Sequence, residues 1–187
     1  MLTHKSLIHS GQRGFTLIEM LAVVALIGII AGGIAMTISQ IVTINRRASN
    51  HMIAVRQVQQ AGDRLSKDVL QAQPNSIGRI GRDDNKFMVL AWWEFDSEGN
   101  RRDIDVEYEL VSTNDGLSKL RREYSVGGEV QAVTNIAQYI VVDQTDWEPT
   151  DGKLVITITA RVGGLHGATE QRIYEVEPRP TPPPDGA

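Results

Sequence analysis

The sequence predicts an α+β fold, with one long N-terminal helix whose second half packs on an antiparallel β-sheet. Three observations predict this arrangement. A continuous apolar run extends from Phe15 to Ile38, and Glu19 is its only charged residue. Beyond the run, apolar and small residues recur at gaps of three or four as far as Ala72, which is the period of one buried helical face. After Pro74 the apolar residues alternate with polar ones, which is the period of β-strands.

The apolar run is long enough to cross a membrane. About 20 apolar residues span a bilayer, and the run from Phe15 to Ile38 exceeds that length. The preceding segment carries Lys5 and Arg13 and no acid, which is typical of a cytoplasmic leader. The alternative is an ordinary secretory signal peptide, cut among the small residues 31–35. Its apolar core would measure only about 7–15 residues, and a carboxylate would serve no purpose there, so we favour a membrane span.

The helix is expected to continue well beyond the membrane span, until Pro74 stops it. A helix over residues 16–73 would be about 87 Å long at 1.5 Å per residue. No domain of this size buries such a helix completely, so its first half must lie in a membrane or against other copies. Within the span, Gly28 and Gly32 form a pair of small residues that lets helices approach closely. The alternative is that these glycines only lower helix stability, by about 1 kcal/mol each.

The segment after the helix reads as an antiparallel meander of five to seven strands. Residues 133–137 are predicted to form a short helical or irregular link between two of them. Because neighbouring strand residues face opposite ways, either Trp92 or Trp93 should lie in the core and the other on the second face. The predicted strands are residues 86–95, 104–110, 117–126, 139–143, 154–161 and 169–176.

A short motif opens the apolar run: Gly14, Phe15, Thr16, Leu17, Ile18 and Glu19. It resembles the prepilin cleavage and methylation motif of type IV pilins and type II secretion pseudopilins. The resemblance implies a pilin-like version of the fold. It also implies that a membrane-bound prepilin peptidase cuts between Gly14 and Phe15 and then N-methylates Phe15. Glu19 becomes the fifth residue of the mature chain.

Glu19 needs a positive partner, because a bare carboxylate in hydrocarbon costs several kcal/mol. The resemblance implies that Glu19 pairs with the new amino group of Phe15 on a neighbouring subunit and so sets the register of the assembled filament. The alternative is that Glu19 serves its own helix, since acids are favourable near helix N-termini.

A weaker resemblance points to a subtype. Residues 64–69, 106–110 and 120–122 are similar to segments of W-type minor pilins and J-type minor pseudopilins, which are priming subunits at filament tips. The chain has no cysteine, so the disulfide-bounded loop of many type IV pilins has no counterpart here.

These observations divide the chain into five segments. They are a cytoplasmic leader (1–14), a transmembrane half-helix (15–38), an amphipathic half-helix (39–73), an antiparallel β-domain (77–177) and a proline-rich tail (178–187). The positive-inside rule does not decide the orientation, because Arg46 and Arg47 follow the span closely. The prepilin motif decides it, and predicts a single-pass protein of the cytoplasmic (inner) membrane with its C-terminal domain outside, later incorporated into a filament.

The sequence offers no enzyme chemistry and no cofactor site. It contains no phosphate loop, zinc-ligand spacing or hydrolase elbow. Four acids before the last hairpin are the candidates for a calcium site, since calcium binds 6–8 oxygens, but we expect a solvated acidic turn and no metal. The four are Asp143, Asp146, Glu148 and Asp151. The net charge of −4 argues against a nucleic-acid partner.

The function predicted is structural: a minor pilin or pseudopilin that enters a type IV pilus or a type II secretion pseudopilus as an initiator or tip subunit. The partners implied are prepilin peptidase, other pilins or pseudopilins, the inner-membrane assembly platform and membrane lipid. The alternative is a membrane-tethered extracytoplasmic module that binds a ligand or substrate through Trp93 or the acidic turn.

Overall fold

A computed structural model describes residues 14–78, 86–164 and 167–180 of the chain. Its elements confirm the predicted α+β fold class, a long N-terminal helix followed by an antiparallel sheet. The helix, α1, spans Leu17–Gln71. The strands within the described residues are β1 (Lys86–Phe95), β2 (Arg101–Ser112), β3 (Ser118–Val126), β4 (Glu129–Ile140), β5 (Asp146–Thr150), β6 (Lys153–Val162) and β7 (Ala168–Val176).

The chain divides into two compact units between Asn45 and Arg46. In the first unit, the side chains of α1 are exposed, including those of all its large apolar residues. α1 is the one helix among the described residues that is long and apolar enough to cross a membrane. Its hydroxyl groups bond within the helix, since Thr37 Oγ1 donates to Gly33 O and Thr43 Oγ1 to Ser39 O, both at 2.9 Å. These two hydroxyls are therefore satisfied within the helix, while the apolar surface of the unit is uncovered.

The second unit is built on the predicted helical stripe. One face of α1 is buried against the sheet, and it continues the spacing of three and four that the sequence shows. The apolar helix residues in this core are Ala54, Val58, Ala61, Leu65 and Val69, and Ala72 continues the stripe just beyond the helix. The sheet contributes alternate residues, for example Ile104, Val106 and Tyr108 of β2, so its second face remains available to solvent.

The sheet departs from a simple meander after β4. Strands β1 to β4 pair in chain order and antiparallel. β4 then joins β6 through a single pair, Ile140 with Ala160, while β5 and β7 both pair with β6. The C-terminal part is thus a three-stranded unit centred on β6, joined to the meander by one ladder pair. The buried Trp147 Nε1 of β5 also donates to Phe87 O of β1 at 2.7 Å.

Two predictions around residue 140 were wrong. Residues 133–137 do not form a link; they lie inside β4, where Val133 pairs with Glu123 of β3. Residues 139–143 do not form a strand, because β4 ends at Ile140 and a short 3₁₀ helix occupies Val142–Gln144. Tyr139 has a φ of +63°, a left-handed conformation that coincides with a shift in register between the Leu120–Ala137 and Ser118–Ile140 pairs.

Strand β5 was missed because its acids were taken for a turn. The turn itself lies at Asp151 and Gly152, whose φ angles are +50° and +80°. This is the Asp-Gly pair that two-residue hairpin turns favour, and it joins β5 to β6. The sequence therefore carried the signal for this hairpin.

The ends of the sheet follow the sequence more closely. Trp92 is buried in the core and Trp93 lies on the second face, as predicted, with its ring 5.2 Å from that of Phe95. α1 stops three residues before Pro74, and Gln73 N then donates to Ala91 O of β1 at 3.2 Å. Of the predicted tail, Pro178 is buried, and residues 181–187 lie outside the described residues.

Candidate functional site: the processing segment and the helix–sheet junction

The predicted cleavage point lies immediately before the helix. Gly14 and Phe15 have no regular secondary structure, and 77% of Phe15 is exposed. No atom approaches within 4 Å of the position of a Cβ on Gly14. The predicted scissile bond therefore lies outside the helix and is accessible, as a protease substrate must be. Residues 1–13 of the predicted leader lie outside the described residues.

Thr16 caps the helix that follows. Its Oγ1 accepts a hydrogen bond from the backbone N–H of Glu19 at 3.3 Å, and its carbonyl accepts from the same N–H at 3.1 Å. Thr16 and Glu19 have the spacing of a capping box, Thr-x-x-Glu. The capping role of Thr16 was not predicted, although the Thr-x-x-Glu spacing is visible in the sequence. The cap fixes the first helical turn directly after the predicted cut.

Glu19 lies in that first turn, and its side chain is exposed. Gly28 and Gly32, the predicted packing pair, are also open, because nothing lies within 4 Å of a Cβ built on either one. These three residues occupy surface that is uncovered in a single chain. Their predicted roles involve a second molecule.

The four calcium candidates are distributed over three elements. Asp143 lies in the 3₁₀ helix, Asp146 and Glu148 lie on β5, and Asp151 lies in the following turn. Asp146 Oδ1 accepts from the backbone N–H of Trp147 at 2.8 Å. Within the described residues, no group of three or more acidic, histidine or cysteine side chains is placed to hold a metal ion.

A buried ion pair joins α1 to the sheet inside the second unit; we call it the helix–sheet junction and define it by Asp68, Tyr108 and Arg122. Arg122 Nε donates to Asp68 Oδ2 at 2.6 Å, and Arg122 Nη2 donates to Asp68 Oδ1 at 3.3 Å. Tyr108 Oη donates to Asp68 Oδ2 at 2.6 Å. Asp68 is 3% exposed, Arg122 6% and Tyr108 0%. The carboxylate therefore receives hydrogen bonds from two strands while it sits on the helix.

The electrostatics of the helix–sheet junction follow from its burial. Burial raises the pKa of Tyr108 well above its ordinary value, and the neighbouring Asp68 charge raises it further. Burial alone would lower the pKa of Arg122, but the hydrogen bonds and charge of Asp68 outweigh it and raise that pKa. No buried side-chain nitrogen or oxygen in the described part of the chain lacks a hydrogen-bond partner. The network is therefore a satisfied structural connection.

Sequence reasoning missed the helix–sheet junction because it assigned Asp68 to the polar face of the helix and Arg122 to a small basic spot. One signal was available. The three segments that resemble W-type and J-type subunits each supply one member: Asp68 comes from 64–69, Tyr108 from 106–110 and Arg122 from 120–122. The structure thus brings together all three parts of that resemblance.

A second close contact holds α1 on β7. A Cβ built on Gly62 would lie 2.0 Å from Cζ of Tyr174, so only a glycine admits the ring at this point. Tyr174 Oη donates to Val58 O at 3.1 Å, which fixes the ring across the helix.

These features describe an α+β protein whose N-terminal helix is long and apolar enough to cross a membrane, with an exposed non-helical segment before that helix. Residues 9–35 match the family model described as the prokaryotic N-terminal methylation motif. No curated protein and no solved structure gives a match to the chain. The matched motif supports the type IV pilin and pseudopilin family, whose members are structural subunits. Together with the long apolar helix, it fits a protein anchored in the inner membrane.

Proposed function

We propose that this chain is a minor pilin or pseudopilin: a precursor that prepilin peptidase cuts between Gly14 and Phe15, methylates at Phe15 and releases for filament assembly. One observation carries the proposal. The chain matches the N-terminal methylation motif, and the proposed cut falls at an exposed, non-helical bond directly before a capped apolar helix. A soluble core helix would bury that apolar surface, and here it is exposed along the whole first unit.

Glu19 would set the register of the assembled helices. A carboxylate in an apolar surrounding is tolerated when a positive group satisfies it. The amino group that cutting creates at Phe15 of a neighbouring subunit is such a group. Gly28 and Gly32 lie on open surface of the same helix, and glycines let packed helices approach closely.

The finer role proposed is that of an initiator or tip subunit. Its support is the subtype resemblance, whose three segments converge on the helix–sheet junction. A shared buried connection of this kind is a property of a common domain core. The orientation proposed is a cytoplasmic leader with the β-domain outside, and the assembly platform and membrane lipid are the further partners.

Cutting is tested by blocking it at the motif. In cells that contain prepilin peptidase, Gly14→Glu should leave the full-length precursor, because a bulky acid replaces the small residue before the scissile bond. Gly11→Glu is the matched control, which adds the same charge three residues earlier, and it should mature. Electrophoretic mobility and intact mass follow both variants. Normal maturation of Gly14→Glu would remove the main support for the proposal.

The register role is tested separately. Glu19→Gln removes the charge and keeps the size, so cutting should proceed while incorporation into filaments falls. Glu98→Gln, at an exposed turn, should change neither. Filaments sheared from cells and probed for the chain measure incorporation. Incorporation of Glu19→Gln at the level of the unaltered chain would argue that Glu19 serves only its own helix.

A further inference from the structure

A basic cluster marks the end of the second unit at which α1 enters it. Arg46 and Arg47 are exposed and follow Ile44, the last apolar residue of the first unit, with only Asn45 between. No acidic residue occurs between Glu19 and Asp63 in the sequence, so the helix offers these arginines no partner. No ion pair involves either arginine within the described residues.

The sheet adds a third arginine at the same end. Gly163, at the end of β6, lies against the helix, since a Cβ built on it would be 2.1 Å from Nδ2 of Asn50. Arg161 is exposed two residues before Gly163. The nearby acid on β7, Glu170, already pairs with Arg172 at 3.2 Å. Arg161 lies on the exposed face of β6, between the buried Ala160 and Val162. We call Arg46, Arg47 and Arg161 together the basic end.

Arg47 also lies on the side of the helix that, seven residues further on, is buried against the sheet. Arg47 itself is exposed. It precedes Ala54 by seven residues, and Ala54, Val58 and Ala61 belong to the core stripe. A heptad spacing keeps residues on one helical face. The face that packs on the sheet therefore ends in a charge at the point where the sheet ends. An apolar residue there would extend the core, and an arginine requires an anion or water.

The orientation makes this charge unusual. Arginines close to a membrane span are normally retained on the cytoplasmic side. The proposed function places Arg46 and Arg47 on the opposite side, so the inference below rests on that function. Basic residues at that position can reach lipid headgroups, because the apolar surface of the helix ends at Ile44.

We propose that the basic end binds the phosphate groups of anionic lipids at the extracytoplasmic surface of the inner membrane. Arg46 and Arg47 contact headgroups beside the helix, and Arg161 supplies a third guanidinium from β6. Guanidinium groups bind phosphate through paired hydrogen bonds. The contact holds the subunit at a defined depth until assembly extracts it.

The test uses the full chain, purified in a neutral detergent and titrated with short-chain phosphatidylglycerol or phosphatidylcholine. The unaltered chain should bind the anionic lipid more tightly than the zwitterionic one. The triple variant R46Q/R47Q/R161Q should lose at least tenfold in affinity, since each basic residue near a membrane surface contributes about fivefold. The matched control R101Q/R102Q/K153Q removes three charges that already have acidic partners, Asp103, Asp96 and Glu175, and should bind normally.

Three results would overturn the inference. The first is binding of phosphatidylglycerol by the triple variant at the affinity of the unaltered chain. The second is displacement of the lipid by inorganic phosphate at equal concentration. The third is a triple variant that loses only its crosslinking to neighbouring pilins, which would assign the basic end to an acidic protein partner. The amino terminus of the same preparation is determined in parallel. Correct cutting with unchanged lipid binding refutes this inference alone, whereas absence of cutting refutes the proposed function.

Discussion

The two parts of α1 have the same secondary structure and opposite relations to their surroundings. In the first unit the helix exposes apolar residues such as Ile29 and Val24, and its hydroxyl groups bond to its own backbone. In the second unit it buries not only apolar residues but also a charged one, Asp68, which strands β2 and β3 satisfy. The first part is an uncovered apolar surface that lipid or other helices can contact. The contacts of the second part are complete within one chain.

This difference separates the energetics of the two parts. Changes in the second unit should alter the free energy of unfolding of the domain, because its contacts are complete within one chain. Changes in the first unit should leave that free energy unchanged and act on processing, membrane binding or assembly. Substitutions of the same type in each part therefore give different, measurable results.

The largest effect is expected at the helix–sheet junction. Asp68→Ala leaves Arg122 buried without its carboxylate and should lower the free energy of unfolding by about 3–5 kcal/mol. Urea unfolding of the purified chain in detergent, followed by tryptophan fluorescence, measures it. The double variant D68L/R122M removes both charges and should be more stable than Asp68→Ala. Arg64→Ala is the control, because Arg64 is largely solvated, lies 3.7 Å from Asp68 and should contribute less than about 1 kcal/mol. A junction variant as stable as this control would contradict the assignment.

Tyr108→Phe tests the same connection through pH. Loss of the hydrogen bond to a charged group should cost about 1.5–3 kcal/mol at neutral pH. The pKa of Tyr108 is raised in the folded chain, so its contribution is fully present below the ordinary tyrosine pKa of about 10. Above that pH the unfolded side chain ionises first, and stability declines by up to about 1.4 kcal/mol per pH unit.

The variant should therefore show a shallower alkaline decline than the unaltered chain. Part of the decline remains, because burial also raises the pKa of Tyr174. Tyr139→Phe, at an exposed tyrosine, is the matched control. Identical alkaline slopes for Tyr108→Phe and the unaltered chain would place Tyr108 outside the buried network.

Two glycines give a direct comparison of the two parts. Gly62→Ala forces the Tyr174 ring away from the helix and should cost about 1–3 kcal/mol through overpacking. Gly28→Ala meets open space and should leave the unfolding of the domain unchanged. Tyr174→Leu, combined with Gly62→Ala, should recover part of the loss. Equal stability of Gly62→Ala and Gly28→Ala would contradict the close contact with Tyr174.

The features of the fold that could be predicted from the sequence are those that local periodicity reports. The long helix, its buried stripe and the opposite faces of Trp92 and Trp93 could be predicted, because local periodicity reports which face is buried. The helix–sheet junction could not be derived from periodicity, since Asp68 and Arg122 are far apart in sequence and each has the polarity of a surface residue. Strand β5 was lost for a related reason: Asp146 and Glu148 are unfavourable in strands, and pairing with β6 overrides that preference.

The motif predicted the candidate processing segment, and the structure shows in addition that Thr16 caps the helix after it. Thr16 and Glu19 had been weighed only as parts of a recognition motif, and their spacing also defines a capping box. The roles proposed for Glu19, Gly28 and Gly32 depend on a second molecule, so a single chain displays only their exposure.

The most direct test of the account is the mass and amino-terminal sequence of the chain isolated from membranes of cells that contain prepilin peptidase. We predict a chain that begins at Phe15 and carries an N-methyl group, with Glu19 as its fifth residue. A chain that still begins at Met1, or one cut among residues 31–35 by an ordinary signal peptidase, would contradict it.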